Sequence, residues 1–310
     1  MSRPTGEQFE IASGTGEDRA RAVVTEVGAS LRAFEVGGVP YVETFGEDDT
    51  PPLGAGAVLV PWPNRVGGAT WSHAGVRQQL EVTEPVRGNA IHGLVRRESW
   101  TVAERDDAAL TLAVEVGEEQ GWPFPFRTTI TYALDGATPG LTVTHTVHNA
   151  GNEEMPLGVG THPYPRPGDL DVDDCVLTLA AGTVLPVDPE TMVPTGKPLS
   201  VEGTDLDLRG GRPVRGLALD TAFGDCRPGD DGLVRHSLTR DGSGVEVWAE
   251  ASFGWVQVFT PDEFPGKGAR AVAIEPMTCP PDALNSGTDL ITVAPGDMWI
   301  GRWGIRPLDR

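Results

Sequence analysis

Two histidines, an arginine and a glutamate stand in segments otherwise built from turn-forming residues. They are Arg65 in PWPNRVGG (61–68), His92 in NAIHGL (89–94), His162 in GVGTHPYP (158–165) and Glu275 in IEPMTCPPDALNSG (274–287). Imidazole titrates near neutral pH and can give or take a proton, and a carboxylate can take one. Arginine adds fixed donors. Such a set could run acid–base chemistry on a polar substrate. Taken singly, each residue has a plainer reading. Arg65 is a surface arginine, His92 a turn histidine, and His162 a hydrogen-bonded side chain in a proline corner. Glu275 is a strand end entering a proline loop. Only the four together favour a site. In GVGTHPYP, Pro163 and Pro165 restrict the backbone, and Gly158 and Gly160 are expected to let it turn sharply. No helix and no central strand is expected to run there.

Other chemistries find little support. DLDVDD (169–174) alternates acids as a calcium loop does, but it lacks the glycine at its sixth place, and its twelfth residue is Ala180 rather than glutamate. The six histidines never fall in HxH or HExxH spacing, so no metal is expected. LGAGAVL (53–59) is not GxGxxG, and there is neither a GKS/GKT phosphate loop nor a GxSxG elbow. Cys175, Cys226 and Cys279 lie far apart and form no CxxC.

The elements that must position the four segments read as strands. RAVVTEVGASLRAFEV (21–36), LTLAVEV (110–116), RTTITYAL (127–134), LTVTHTVHN (141–149), VEVWAEA (245–251) and WVQVFT (255–260) alternate or are rich in β-branched and aromatic residues. In LTVTHTVHN, Leu141, Val143, His145 and Val147 share one face, and Thr142, Thr144, Thr146 and His148 the other. No stretch of 12 or more residues keeps a helical period. Without crossover helices the sheets should be antiparallel, and a chain this long must stack them. The expectation is all-β: one large antiparallel β-sandwich domain over 1–310. The formal charge of −21 opposes binding to nucleic acid or anionic membranes. The N-terminus carries no signal pattern and no apolar run reaches bilayer length, so a cytoplasmic place is expected.

The ordered set of segments, from VTEVGASLRAFEVGG through NR, IHG and THPY to IEPMTCPPDALNSG, resembles the aldose 1-epimerase (galactose mutarotase) family over nearly the whole chain. The resemblance implies the family's β-supersandwich and a mutarotase acting on a free aldohexose. It implies Glu275 as general base and His162 as general acid, with Arg65, His92 and Asp220 (in LALDTAFGD) holding sugar oxygens and Asn64 as a further contact. The reaction moves only protons, so no cofactor and no metal is implied. The partner is a small sugar, and the chain is read as a monomer or homodimer. Asp220 and Glu275 are expected to help keep His162 protonated. Where galactose mutarotases follow the histidine with Tyr-Phe-Asn, this chain has Pro163, Tyr164 and Pro165, which places it nearer a bacterial branch. Three rivals are a hexose-phosphate epimerase using Arg65, Arg96 and Arg97, a sugar-binding module without turnover, and a glycosidase. Trp62 and Trp255 are read as core residues rather than sugar platforms.

Overall fold

Alternation at period two dominates the chain, and the backbone follows it. The structure is a computed structural model describing residues 3–135 and 139–308. Strand makes up 46% and helix 6%. The α-helix among the described residues is a single turn, Ala283–Ser286.

The larger sheet has nine antiparallel strands, in the order Thr101–Arg105, Ala109–Val116, Phe126–Leu134, Leu141–Asn149, Met298–Leu308, Ser243–Glu250, Leu233–Arg240, Val176–Thr178 and Arg212–Pro213. Its centre is regular. Phe126–Leu134 pairs residue for residue with Leu141–Asn149, and Leu141, Val143, His145 and Val147 all point into the core as the alternation requires. The 21–36 segment folds as two strands, Ala20–Thr25 and Leu31–Val36, within a four-stranded sheet.

A seven-stranded sheet carries Asp220, Gln257 and Glu275, while Arg65 starts a separate two-residue strand paired with Ala90–Ile91. The order of the seven is Leu199–Ser200, Ala181–Val184, Asp220–Cys226, Trp255–Phe259, Ala273–Met277, Gly160–Thr161 and Val58–Leu59. Gln257 lies opposite Glu275, and Asp220 opposite Phe259. Because opposed residues share a face, Asp220, Gln257, Phe259 and Glu275 fall on one side. Val256, Val258 and Ile274 fall on the other, in a core shared with Leu112, Ile130, Val143 and Val247 of the nine-stranded sheet. This face-to-face burial of apolar strands is the main cohesive force.

GVGTHPYP departs from expectation. Gly160–Thr161 runs as a short interior strand, paired with Leu59 on one side and Met277 on the other. Gly158 and Gly160 are not turn-makers. They permit close approach: a Cβ on Gly158 would lie 2.5 Å from Cys279 Sγ, and one on Gly160 would lie 2.7 Å from the Pro63 ring. His162 follows directly, at the rim of the sheet. Among the described residues no helix is long and apolar enough to cross a membrane, and no three potential ligands gather into a metal site.

Candidate active site

His162, just past Gly160–Thr161, and Glu275, in the neighbouring strand Ala273–Met277, meet on the polar face. His162 Nε2 lies 3.4 Å from Glu275 Oε1, and both residues are buried. The strand fixes Glu275 through its place opposite Gln257, and the His162 backbone bonds to Ala57 and Gly56. Glu275 Oε2 and His162 Nδ1 are buried without a hydrogen-bond partner among the described residues.

Arg65 is not a surface arginine. Its guanidinium forks onto Glu84, with Nε 2.9 Å from Oε2 and Nη2 3.0 Å from Oε1, and Nη2 lies 3.9 Å from Asp220 Oδ2. Glu84 also accepts from Arg87 Nη1 at 3.0 Å and Asn89 Nδ2 at 3.1 Å. Burial alone would raise the Glu84 carboxyl, but the fork and charge of Arg65, with Asn89 and Arg87, bring it below its ordinary value. Asp220 Oδ1 in turn accepts from Gln257 Nε2 at 2.6 Å. The fork locks Arg65 in one pose and aims it along the cleft.

Asn64 and His92 are both left-handed, with φ of 54° and 67°, and bond reciprocally. The His92 N–H donates to Asn64 O at 2.9 Å, and the Asn64 N–H donates to His92 Nδ1 at 3.2 Å. An Nδ1 that accepts puts the ring proton on Nε2, so His92 is a fixed donor. Asn64 spends its side-chain oxygen on the Arg65 N–H, at 2.9 Å, which makes it a builder of this corner. Gly93 explains the IHG motif: at φ 69° it passes so close to Val60 that a Cβ would sit 2.1 Å from the Val60 carbonyl oxygen.

Electrostatics departs from expectation at His162. Burial pushes its pKa down to about 4, against an upward pull from its own backbone carbonyl and with a further push from Arg96. Burial raises Glu275 well above the ordinary carboxyl value, Asp220 adds to this, and Arg65 opposes it. Desolvation outweighs the nearby acids because both groups leave water together. Burial therefore favours a carboxylic acid beside a neutral imidazole over an ion pair; either way the pair holds one proton. His92 is also driven well below its ordinary value, first by burial, then by His162, Arg96 and Arg65.

The six residues singled out from sequence, Asn64, Arg65, His92, His162, Asp220 and Glu275, line one cleft of about 360 Å³. Sequence reasoning missed Glu84 and Gln257, which hold Arg65 and Asp220. Gln257 left a signal, as the lone polar residue in WVQVF; Glu84 left none, since its partner is 19 residues away. Trp62 and Trp255 are buried and outside this cleft, as expected of core residues. Arg96 and Arg97 line a separate cleft with Trp62.

The family model for aldose 1-epimerases matches residues 12–305. The chain is 30% identical over 292 residues to the uncharacterised protein YihR of Escherichia coli K12, covering 94% of this chain and 90% of that one. It is 28% identical over 226 residues to human galactose mutarotase, covering 68% of this chain and 62% of the human protein. Its fold matches a GalM/aldose epimerase homologue from C. elegans with a TM-score of 0.82 at 20% identity, over 97% of this chain and 98% of that one. A galactose mutarotase-like protein from Clostridium acetobutylicum matches with a TM-score of 0.82 at 18% identity, over 98% and 99%. The antiparallel β-sandwich expected from the strand pattern is thus the galactose mutarotase-like fold.

Proposed function

Because this chain belongs to the aldose 1-epimerase family, we propose that it interconverts the α and β anomers of a free aldohexose. The observation that carries this reading is the Glu275–His162 pair, 3.4 Å apart in a cleft shared with Arg65, His92 and Asp220. Glu275 takes the proton of the anomeric hydroxyl while His162 Nε2 gives one to the ring oxygen. The C1–O5 bond breaks, leaving an aldehyde at C1 and a hydroxyl at C5. A carboxylate beside an imidazolium becomes a carboxylic acid beside a neutral imidazole. Burial favours that neutral state, so the ion pair that begins opening is the minor form of the pair, and reclosure restores it. Rotation about C1–C2 and reversal of the proton transfers close the other anomer. His92 Nε2–H donates to one sugar oxygen, and Arg65 and Asp220 hold hydroxyls.

A free sugar is favoured over a phosphorylated one by where the arginines are spent. In the cleft, Arg65 and Arg87 both serve Glu84, while Arg96 and Arg97 line a neighbouring cleft rather than this one, though the Arg96 charge still reaches His162 and His92. The volume falls in the range of small-ligand sites, roughly 300–1,000 Å³. A shared core joining the largest sheets supports one domain for the chain, whose outermost residues 1–2 and 309–310 lie outside the described residues. Polarimetry on freshly dissolved α-anomers of several aldoses tests the proposal. Accelerated mutarotation of at least one aldose is expected; binding of a sugar without acceleration would sink it in favour of a binding module.

A further inference from the structure

Catalytic imidazoles are usually oriented by a carboxylate or carbonyl that holds the N–H of the nitrogen away from the substrate. No other residue tethers His162 in this way: its Nδ1 is buried with no hydrogen-bond partner in another residue among the described ones, and only its own backbone carbonyl bears on it. What surrounds the ring instead is packing. The Tyr164 ring stacks on it with centroids 5.3 Å apart and planes 27° apart. The His92 ring meets it edge-on at 5.4 Å. Gly54, at φ 77°, closes on its Cδ2–Nε2 edge so tightly that a Cβ there would lie 3.1 Å from Cδ2 and 3.3 Å from Nε2.

Tyr164 is itself immobilised. It is 1% exposed, Phe264 packs T-shaped against it at 5.0 Å, and its hydroxyl donates to the Leu53 carbonyl oxygen at 3.2 Å. Leu53 directly precedes Gly54. One side chain therefore stacks on the imidazole and also ties down the turn that presses on the reacting edge.

We propose that Tyr164 is the positioning residue for His162, supplying by ring stacking and by clamping the Leu53–Gly54 turn the orientation that no other residue's hydrogen bond gives to Nδ1. The proposal rests on His162 being a proton carrier in the reaction above. Stacking fixes the plane of the ring but does not choose which nitrogen carries the proton. An imidazole so held can exchange its proton with Glu275 without breaking a second bond.

Tyr164→Phe and Tyr164→Leu separate the two parts. The phenylalanine keeps the ring and loses the tie to Leu53; the leucine loses both. Under polarimetry, kcat is expected to fall about tenfold or more in Tyr164→Leu, as misplacement of a reacting group does, with KM nearly unchanged. Tyr164→Phe should recover most of that loss. In nitrogen-detected NMR, the His162 ring should show greater exchange broadening in Tyr164→Leu than in Tyr164→Phe. A folded Tyr164→Leu protein with wild-type His162 resonances overturns the proposal, as does one whose loss lies in KM. If Tyr164→Leu does not fold, Tyr164→Met, which keeps bulk but loses both the ring and the tie to Leu53, takes its place, and wild-type His162 resonances in it overturn the proposal. The NMR reading does not depend on turnover, so an inactive wild-type protein would defeat the mutarotase reading while the positioning claim is still decided.

Discussion

His145 and His162 sit in different sheets and share almost every feature by which a functional histidine is picked out. Both are buried, both have an Nδ1 without a partner among the described residues, and burial pushes their pKa values down to about 3 and about 4. His145 belongs to the regular centre of the nine-stranded sheet, where its Nε2 accepts from the Trp303 indole at 3.0 Å. His162 stands at a sheet rim beside a carboxylate and an open cleft. Burial and a shifted pKa are therefore not marks of function by themselves. The difference lies in the second titratable group, which gives the proton somewhere to go.

The largest effect expected from this contrast is kinetic. Glu275→Gln and His162→Asn should each lower kcat for mutarotation by about two orders of magnitude or more, the usual contribution of an acid or base. His145→Asn should leave kcat near wild type and cost about 1–3 kcal/mol in denaturant unfolding, because the Trp303 N–H loses its acceptor. Wild-type turnover in Glu275→Gln would remove the base from the scheme.

Titration gives the next contrast. The pair works only while it holds a single proton. Activity should fall below pH about 4 as His162 gains a second proton, and fall at high pH once Glu275, raised above its ordinary range, gives up the first. A pH profile of kcat/KM with its acid limb at about 6.5, the free-imidazole value, would show the ring to be better solvated than its burial implies. For His145 and His236 the same shift is purely a stability effect. Their folded pKa values, about 3 and about 4, lie below the ordinary 6.5. As pH falls below about 6.5 the unfolded chain binds protons that the folded chain refuses, so stability is lost on acidification. Melting temperatures measured from pH 7 to pH 4 should decline.

Smaller still is the expected cost of Arg65→Lys. Lysine cannot fork onto Glu84, so the charge loses its aim. KM should rise about tenfold, with kcat affected less, equivalent to about 1.4 kcal/mol. The smallest expected effect is that of a chelator, which should change neither the melt nor the rate. Loss of activity restored by a divalent ion would reveal a ligand set that the spacing of His, Asp and Glu does not show.

Fold class was legible because a strand writes its burial into every second residue. Leu141–Asn149 reads as alternating in sequence and is alternating in space. The residues of the candidate site were legible as a group because polar side chains among prolines and glycines have few structural excuses, and the structure brings them to one cleft. What stayed hidden was set by distant partners. Gly158 and Gly160 look like turn residues, yet their need for a missing side chain comes from Cys279 and Pro63. Arg65 looks like a surface residue until Glu84 is found beside it. The protonation of His162 was misjudged because charges can be counted along a chain, whereas desolvation sums over every segment that excludes water.

The corner that holds Arg65 is closed by residues from near the other end of the chain. Asp282 N–H donates to Arg65 O, and Asp282 Oδ1 accepts from Gly67 N–H, a bond between residues 215 positions apart. Asn285 reaches Thr70 O over the same separation. Contacts of such range form slowly, since a long loop must close before they reward it. The cleft is therefore among the last parts of the molecule to assemble. A nascent chain ending before residue 282 lacks this corner and also lacks Met298–Leu308, the strand that joins the two halves of the nine-stranded sheet, so cleft and sheet centre both wait for the last segment, and the appearance of turnover during refolding would time that step.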